Sequence, residues 1–314
     1  MKRIALLLCL SVAVGACAQE QQGGEGGSGG GELVAIVANH ELAAVGPSRF
    51  LLGLETADRR LVTGGSVDLR FSFLGEDRAE GQPQPGPEVT ATFLPLPGES
   101  AGPSSPQAVA ASEVRGVYSA EGVELDRPGF WEVEATADLG GDLRRGTAAF
   151  QVLPEPLVPA PGDPAPRTKN HTLDSKGVPV EAIDSRAAGG AEVPDPELHQ
   201  ATIAGAIRDG RPALVVIATP VYCVSKFCGP VTDMVAELAA EYGDRAEFIH
   251  IEVWRDFQEG VINEAAADWL LRDDNLTEPW VFLIGADGRV AARWDNVATR
   301  QEIEPLLQDL PSSD

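Results

Sequence analysis

Two folded parts of different class are predicted for this chain of 314 residues: an all-β sandwich over residues 33–153, followed by an α/β fold over residues 195–312. Three observations carry this reading. The first part is a series of short runs alternating apolar and polar residues, divided by Gly, Pro and Asp. In the second part helical periods alternate with continuous apolar runs. A proline-rich stretch separates the two. Aspartate and glutamate total 48 against 24 lysines and arginines, a net charge of −24, which repels phosphate backbones and excludes nucleic acid as a partner.

The chain opens with Lys2 and Arg3, an apolar run from Ile4 to Val14, and Val14-Gly15-Ala16-Cys17. The run is too short to span a bilayer. The stretch resembles the lipobox of bacterial lipoproteins. The resemblance implies a signal peptide over residues 1–16, a diacylglycerol on Cys17 and residence on the extracytoplasmic face of a cell membrane. Residues 17–32, with QEQQGGEGGSGGG, have no apolar content to bury and read as a flexible tether. Cys9 then leaves with the signal and Cys17 is used by lipid, so Cys223 and Cys228 alone remain in the folded part. Disulfides persist outside the cytoplasm, and this pair is expected to be bonded to itself.

Between Leu33 and Leu153 strands are expected at 33–37, 49–54, 66–73, 88–93, 116–120, 129–135 and 147–152. The stretch GVYSAEGVELDRPGFWEVEATA is similar to the last hairpin of bacterial immunoglobulin-like domains. Trp131 and Tyr118 are expected in its core. His40 stands alone, without other metal-ligand residues nearby. Whether this part is a spacer or a docking surface is left open. Residues 154–194, with PEPLVPAPGDPAP, are expected to form an extended, loosely packed linker, because proline fixes φ and removes a backbone donor.

Beyond the linker a helix is expected from Pro196 to Asp209, capped by Asp195 and stopped by Gly210. Pro212 to Thr219, PALVVIAT, reads as a buried parallel strand. A helix follows from Val231 to Tyr242, a strand from Phe248 to Trp254, and a helix from Val261 to Leu271. Strands at 280–284 and 290–294 are joined by an Ala286-Asp287-Gly288 turn, and Ala298 to Leu310 closes the chain as a helix.

Before the helix at 231 stands VYCVSKFCGP, with Cys223 and Cys228, and Gly229 and Pro230 directly after the second sulfur. The order of elements, the Cys-Gly-Pro at a helix start and Glu278-Pro279-Trp280 opening a strand resemble thioredoxin-like proteins. That resemblance implies a cis bond before Pro279, a substrate groove involving Pro279, Trp280, Gly229 and Pro230, and a helix start that acidifies Cys228. The departure is Val231, where the family carries its second cysteine. Cys223 would have to resolve from the loop.

Three readings follow. Cys228 and Cys223 exchange disulfides with envelope proteins, with no resident cofactor or metal; or they form a fixed disulfide in a binding scaffold; or they bind Cu(I), as in thioredoxin-like copper proteins of respiratory assembly. His250, on a strand, is expected to be a satisfied strand residue. The family's buried acid is not evident on the strand before the cysteines.

Overall fold

The computed structural model describes residues 32–77, 82–110 and 115–312. The lipobox, Cys17 and the glycine tether lie outside the described residues, apart from the tether's last residue, Glu32. Among the described residues no helix is long and apolar enough to cross a membrane.

The first part is built from β1 (Leu33–Val37), β2 (Ser48–Thr56), β3 (Leu61–Thr63), β4 (Ser66–Gly75), β5 (Gln84–Pro95), β6 (Gln107–Val109), β7 (Gly116–Val123), β8 (Gly129–Asp138) and β9 (Leu143–Val152). They bond antiparallel into one sheet, ordered β6-β3-β2-β7-β5-β4-β8-β9 with β1 on β2. Bridges from Glu32 to Arg145 and from Ala43 to Leu153 bring β1 and its following loop back to β9. The sheet thus folds over on itself, consistent with a β sandwich. Alternation along β4 and β8 sends Val67, Leu69, Phe71 and Phe73, and Trp131, Val133 and Ala135, into one core. Phe50 meets Phe71 edge-on at 4.8 Å. Tyr118 and Trp131 are buried, and each has its polar tip bonded: Tyr118 Oη donates to Gly64 O at 2.9 Å and Trp131 Nε1 to Arg127 O at 2.9 Å. One expectation is corrected. β7 and β8 do not pair; β5 and β4 lie between them, and β8 forms its hairpin with β9.

The second part centres on four strands, β10 (Ala213–Ala218), β11 (Glu247–Glu252), β14 (Trp280–Ile284) and β15 (Val290–Asp295), in the order β11-β10-β14-β15. Two short strands, β12 (Trp254–Asp256) and β13 (Val261–Ile262), pair beside it. β10 runs parallel to β11 and antiparallel to β14. The helices are α1 (Ile203–Arg208), α2 (Cys228–Tyr242), α3 (Glu264–Leu270) and α4 (Arg300–Gln308). Ala213, Val215 and Ile217 of β10 pack with α1 and α3, whereas Leu214, Val216 and Ala218 pack with α2 and α4. Both faces of the sheet are covered, which explains the unbroken apolar run of β10.

Two further expectations are corrected. The helix expected over Pro196–Asp209 is a 3-10 turn, Pro196–His199, and then α1. Thr202 caps α1 by accepting from Gly205 N at 3.0 Å, while Asp195 makes no side-chain cap. Residues 154–194 do not form a loose linker. Val158, Ala165, Thr168, Asn170, Ala182 and Asp184 are buried there. Thr168 accepts from Trp269 Nε1 at 3.1 Å, and Asn170 accepts from Ile203 N at 2.9 Å. Proline restricts the backbone but leaves side chains free to dock, and here they dock on the α/β part.

The two parts meet through directed polar contacts. His40 N donates to Asp295 Oδ2 at 2.6 Å, Asn296 Nδ2 to Ala38 O at 2.7 Å and Arg49 Nη2 to Val297 O at 2.7 Å. Leu51, Leu96, Val117 and Val297 form a small shared apolar cluster that Phe227 packs against.

Candidate functional site

The loop between β10 and α2 carries both cysteines. α2 begins at Cys228 after Phe227, whose side chain provides no cap. The sulfur of Cys223 fills that place. Cys228 N donates to Cys223 Sγ at 3.4 Å, and Ser225 Oγ lies 3.3 Å from the same sulfur. Lys226 takes a positive φ of 61° to turn the loop back on itself. Cys223 is partly exposed, next to Val224, which is 94% exposed.

Cys228 is fully buried, and the helical period explains it. Cys228, Val231, Val235 and Leu238 share the face of α2 that packs on the sheet. Its thiol donates to Glu278 Oε2 in a short contact. Glu278 precedes Pro279, and the bond between them is cis. The two sulfurs and a Glu278 oxygen lie within 4.8 Å of one another.

The electrostatics divide the three acids. The Cys228 thiol, its one hydrogen shared between the Cys223 sulfur and Glu278, pulls the Cys223 thiol down to about 5, with further support from Ser225 and the backbone amides of Cys228 and Phe227. Burial, with the Cys223 and Glu278 charges beside it, drives the Cys228 thiol far above its ordinary value. Burial also pushes the Glu278 carboxyl up to about 7. The arrangement favours one partly exposed thiolate, one buried protonated thiol and one carboxyl poised near neutrality. This is the equipment of stepwise proton transfer between sulfurs.

Sequence reasoning pointed to both cysteines, and the structure brings them together as free thiols rather than as a disulfide. Their surroundings are the reverse of the expected ones. The sulfur at the convergence of helix amides is that of Cys223, and the Cys228 side chain faces the core. Gly229 and Pro230 are half-buried on α2, while Pro279 and Trp280 are buried and so form no open groove wall at the cysteines. Trp280 lines a cleft of about 380 Å³ between the two parts, with Asn39, Glu41, Arg293 and Asp295. Its ring lies 5.7 Å from that of His40. His40, expected to stand alone, is thus brought by the β part against Trp280, the first residue of the strand that follows Glu278 and Pro279; burial lowers its imidazole, against the upward pull of Asp295. Glu278 was missed because an acid was sought on β10. Its sequence signal was a carboxylate directly before the proline that opens β14.

A second cluster lies beneath the 3-10 turn Ser185–Ala187. His250 is buried on β11, as expected, but it is not fully satisfied. Asp184, His199 and His250 converge with their side chains fully buried. Desolvation pushes the Asp184 carboxyl up, yet His199, His250 and Arg186 pull harder and hold it well below the ordinary carboxylate range. Burial lowers the His199 imidazole against the pull of Asp184.

No known family profile matches the chain, and no curated protein is similar to it in sequence.

Proposed function

We propose that this chain is a lipid-anchored extracytoplasmic protein whose α/β part is thioredoxin-like and exchanges disulfides with envelope proteins, carried on an immunoglobulin-like β part. One observation carries the reading: the partly exposed Cys223 sulfur caps α2, with the buried Cys228 thiol and Glu278 behind it. The β11-β10-β14-β15 sheet with helices on both faces supports the same assignment.

The chemistry runs in two steps. The Cys223 thiolate attacks one sulfur of a partner disulfide, forming a mixed disulfide and releasing the other partner sulfur as a thiolate. That step removes the Cys223 charge which had opposed ionisation of Cys228. Glu278 then takes the Cys228 proton, and the Cys228 thiolate attacks Cys223. The partner's second sulfur leaves as a thiolate. The partner disulfide is reduced by two electrons and the Cys223–Cys228 disulfide is formed. The reverse sequence oxidises a partner dithiol.

The test is trapping. A Cys228→Ser variant, incubated with a disulfide-bonded protein substrate, accumulates a mixed disulfide through Cys223, whereas Cys223→Ser gives none. If neither variant forms an adduct and the pair's potential lies below about −300 mV, the pair is a fixed staple in a scaffold.

A further inference from the structure

The geometry points to a zinc site at Asp184, His199 and His250, built where residues 154–194 dock on the α/β sheet and independent of the cysteines. The three donors come from three separate segments: the residue capping the turn Ser185–Ala187, the turn Pro196–His199 and β11.

The hydrogen-bond pattern turns two imidazole nitrogens toward one carboxylate oxygen. His250 Nε2 lies 3.2 Å from Ala218 O. A carbonyl only accepts, so this nitrogen carries the hydrogen, and in the neutral ring Nδ1 presents a lone pair. That lone pair faces Asp184 Oδ2 at 3.3 Å. His199 Nε2 faces the same oxygen at 3.4 Å. Both nitrogens are buried at these long separations from one carboxylate oxygen, and His199 Nδ1 is buried without a partner. Buried polar atoms so weakly paired are costly, and a cation among them would relieve that cost.

The distances fit a metal ion. A tetrahedral zinc with bonds of about 2.0–2.1 Å holds its donors about 3.3 Å apart. The two nitrogen-to-oxygen separations are 3.3 and 3.4 Å, and the three donor atoms lie within 4.8 Å of one another. Two imidazoles and a carboxylate form a donor set suited to zinc.

The surroundings supply orientation and charge. Arg186 N and Nε donate to Asp184 Oδ1 at 2.9 and 3.0 Å, and Nη2 to Oδ2 at 2.7 Å, fixing the carboxylate. The guanidinium is itself shared with Asp195 and Asp233 at 2.9 and 3.1 Å. Glu252, which accepts from Ser185 N at 2.9 Å, lies beside His250 with its carboxyl raised by burial, so the negative charge at the site comes from the aspartates. Carboxyl groups outnumber the one guanidinium, leaving room for a divalent charge. The bound ion would pin residues 154–194 to the sheet.

The test uses the full chain with Cys223→Ser and Cys228→Ser together, so that sulfur cannot bind the ion. All three donors are buried, so zinc chloride is supplied during refolding. One zinc per chain is expected, with affinity falling at least about 100-fold in added His199→Gln or His250→Gln. No retained zinc, or equal retention in the histidine variants, overturns the site. Cobalt(II) gives a readout with both histidines intact. The cysteine-free chain should show the intense visible bands of a tetrahedral ion without sulfur-to-cobalt charge transfer, and a spectrum of aqueous cobalt alone overturns the assignment.

Discussion

The Cys223 sulfur lies 3.4 Å from the backbone nitrogen of Cys228 and stands where a Ser, Thr, Asp or Asn side chain would ordinarily cap a helix. One cysteine therefore caps the helix that the other begins. A thiolate in that place satisfies an orphan amide and meets the positive end of the helix dipole. The same geometry buries Cys228 on the inner face of α2.

Replacing Glu278 with Gln isolates the proton-transfer step. Single-turnover reduction of a disulfide substrate should show an unchanged first attack by Cys223. Release of the reduced partner should slow by about 10²–10⁴-fold, the usual loss of a general base. In the unaltered protein that release should accelerate as pH rises through the Glu278 ionisation, which burial still raises but which lies below the reduced protein's value of about 7 once the Cys223 charge is gone. The Gln variant should lack this inflection. An unchanged release rate would remove Glu278 from the chemistry.

Stability of the reduced protein should depend on pH with a definite sign. The Cys223 value is lowered from 9.0 to about 5, so its contribution is full above about 9 and lost as pH falls through about 5. The Glu278 value is raised from 4.5 to about 7, so its contribution is full below about 4.5 and lost as pH rises through about 7. The two trends oppose each other between 5 and 7, and Cys223 alone acts between 7 and 9. Denaturant unfolding of the reduced chain should therefore show a gain in stability from pH 7 to 9 that Cys223→Ser removes. Partial exposure of Cys223 keeps the gain small.

Replacing Thr168 with Val tests the docking of residues 154–194. The hydroxyl accepts from the buried indole of Trp269 at 3.1 Å. Its loss leaves that N–H unpaired and should cost about 1–3 kcal/mol in equilibrium unfolding. A loose linker would give no change.

Much of the scaffold was legible from periodicity. The apolar run PALVVIAT read as a buried strand, and β10 is covered on both faces. Alternation in the first part located most of its strands, but pairing order is a long-range property, which is why β7 and β8 were read as a hairpin. The break after His199 was missed although Leu198 stands five residues before Ile203, off the three-to-four spacing that Ile203 and Ile207 keep, and Thr202 was a visible cap. The proline-rich segment was misjudged because composition reports what a backbone can do and says little about where Thr168, Asn170 and Asp184 dock. At the site, the Cys-Gly-Pro triplet drew attention to Cys228. The spacing of Cys228 with Val231, Val235 and Leu238 already placed it on the apolar face. Asp184, His199 and His250 come together only through the fold, so no local spacing announced them.

The most direct measurement is the pH dependence of alkylation of the reduced protein, with each cysteine quantified by mass spectrometry. Cys223 should react with a midpoint near 5 while Cys228 stays unmodified. A Cys223 midpoint near the ordinary thiol value of about 8.5, or faster reaction at Cys228, would contradict the account.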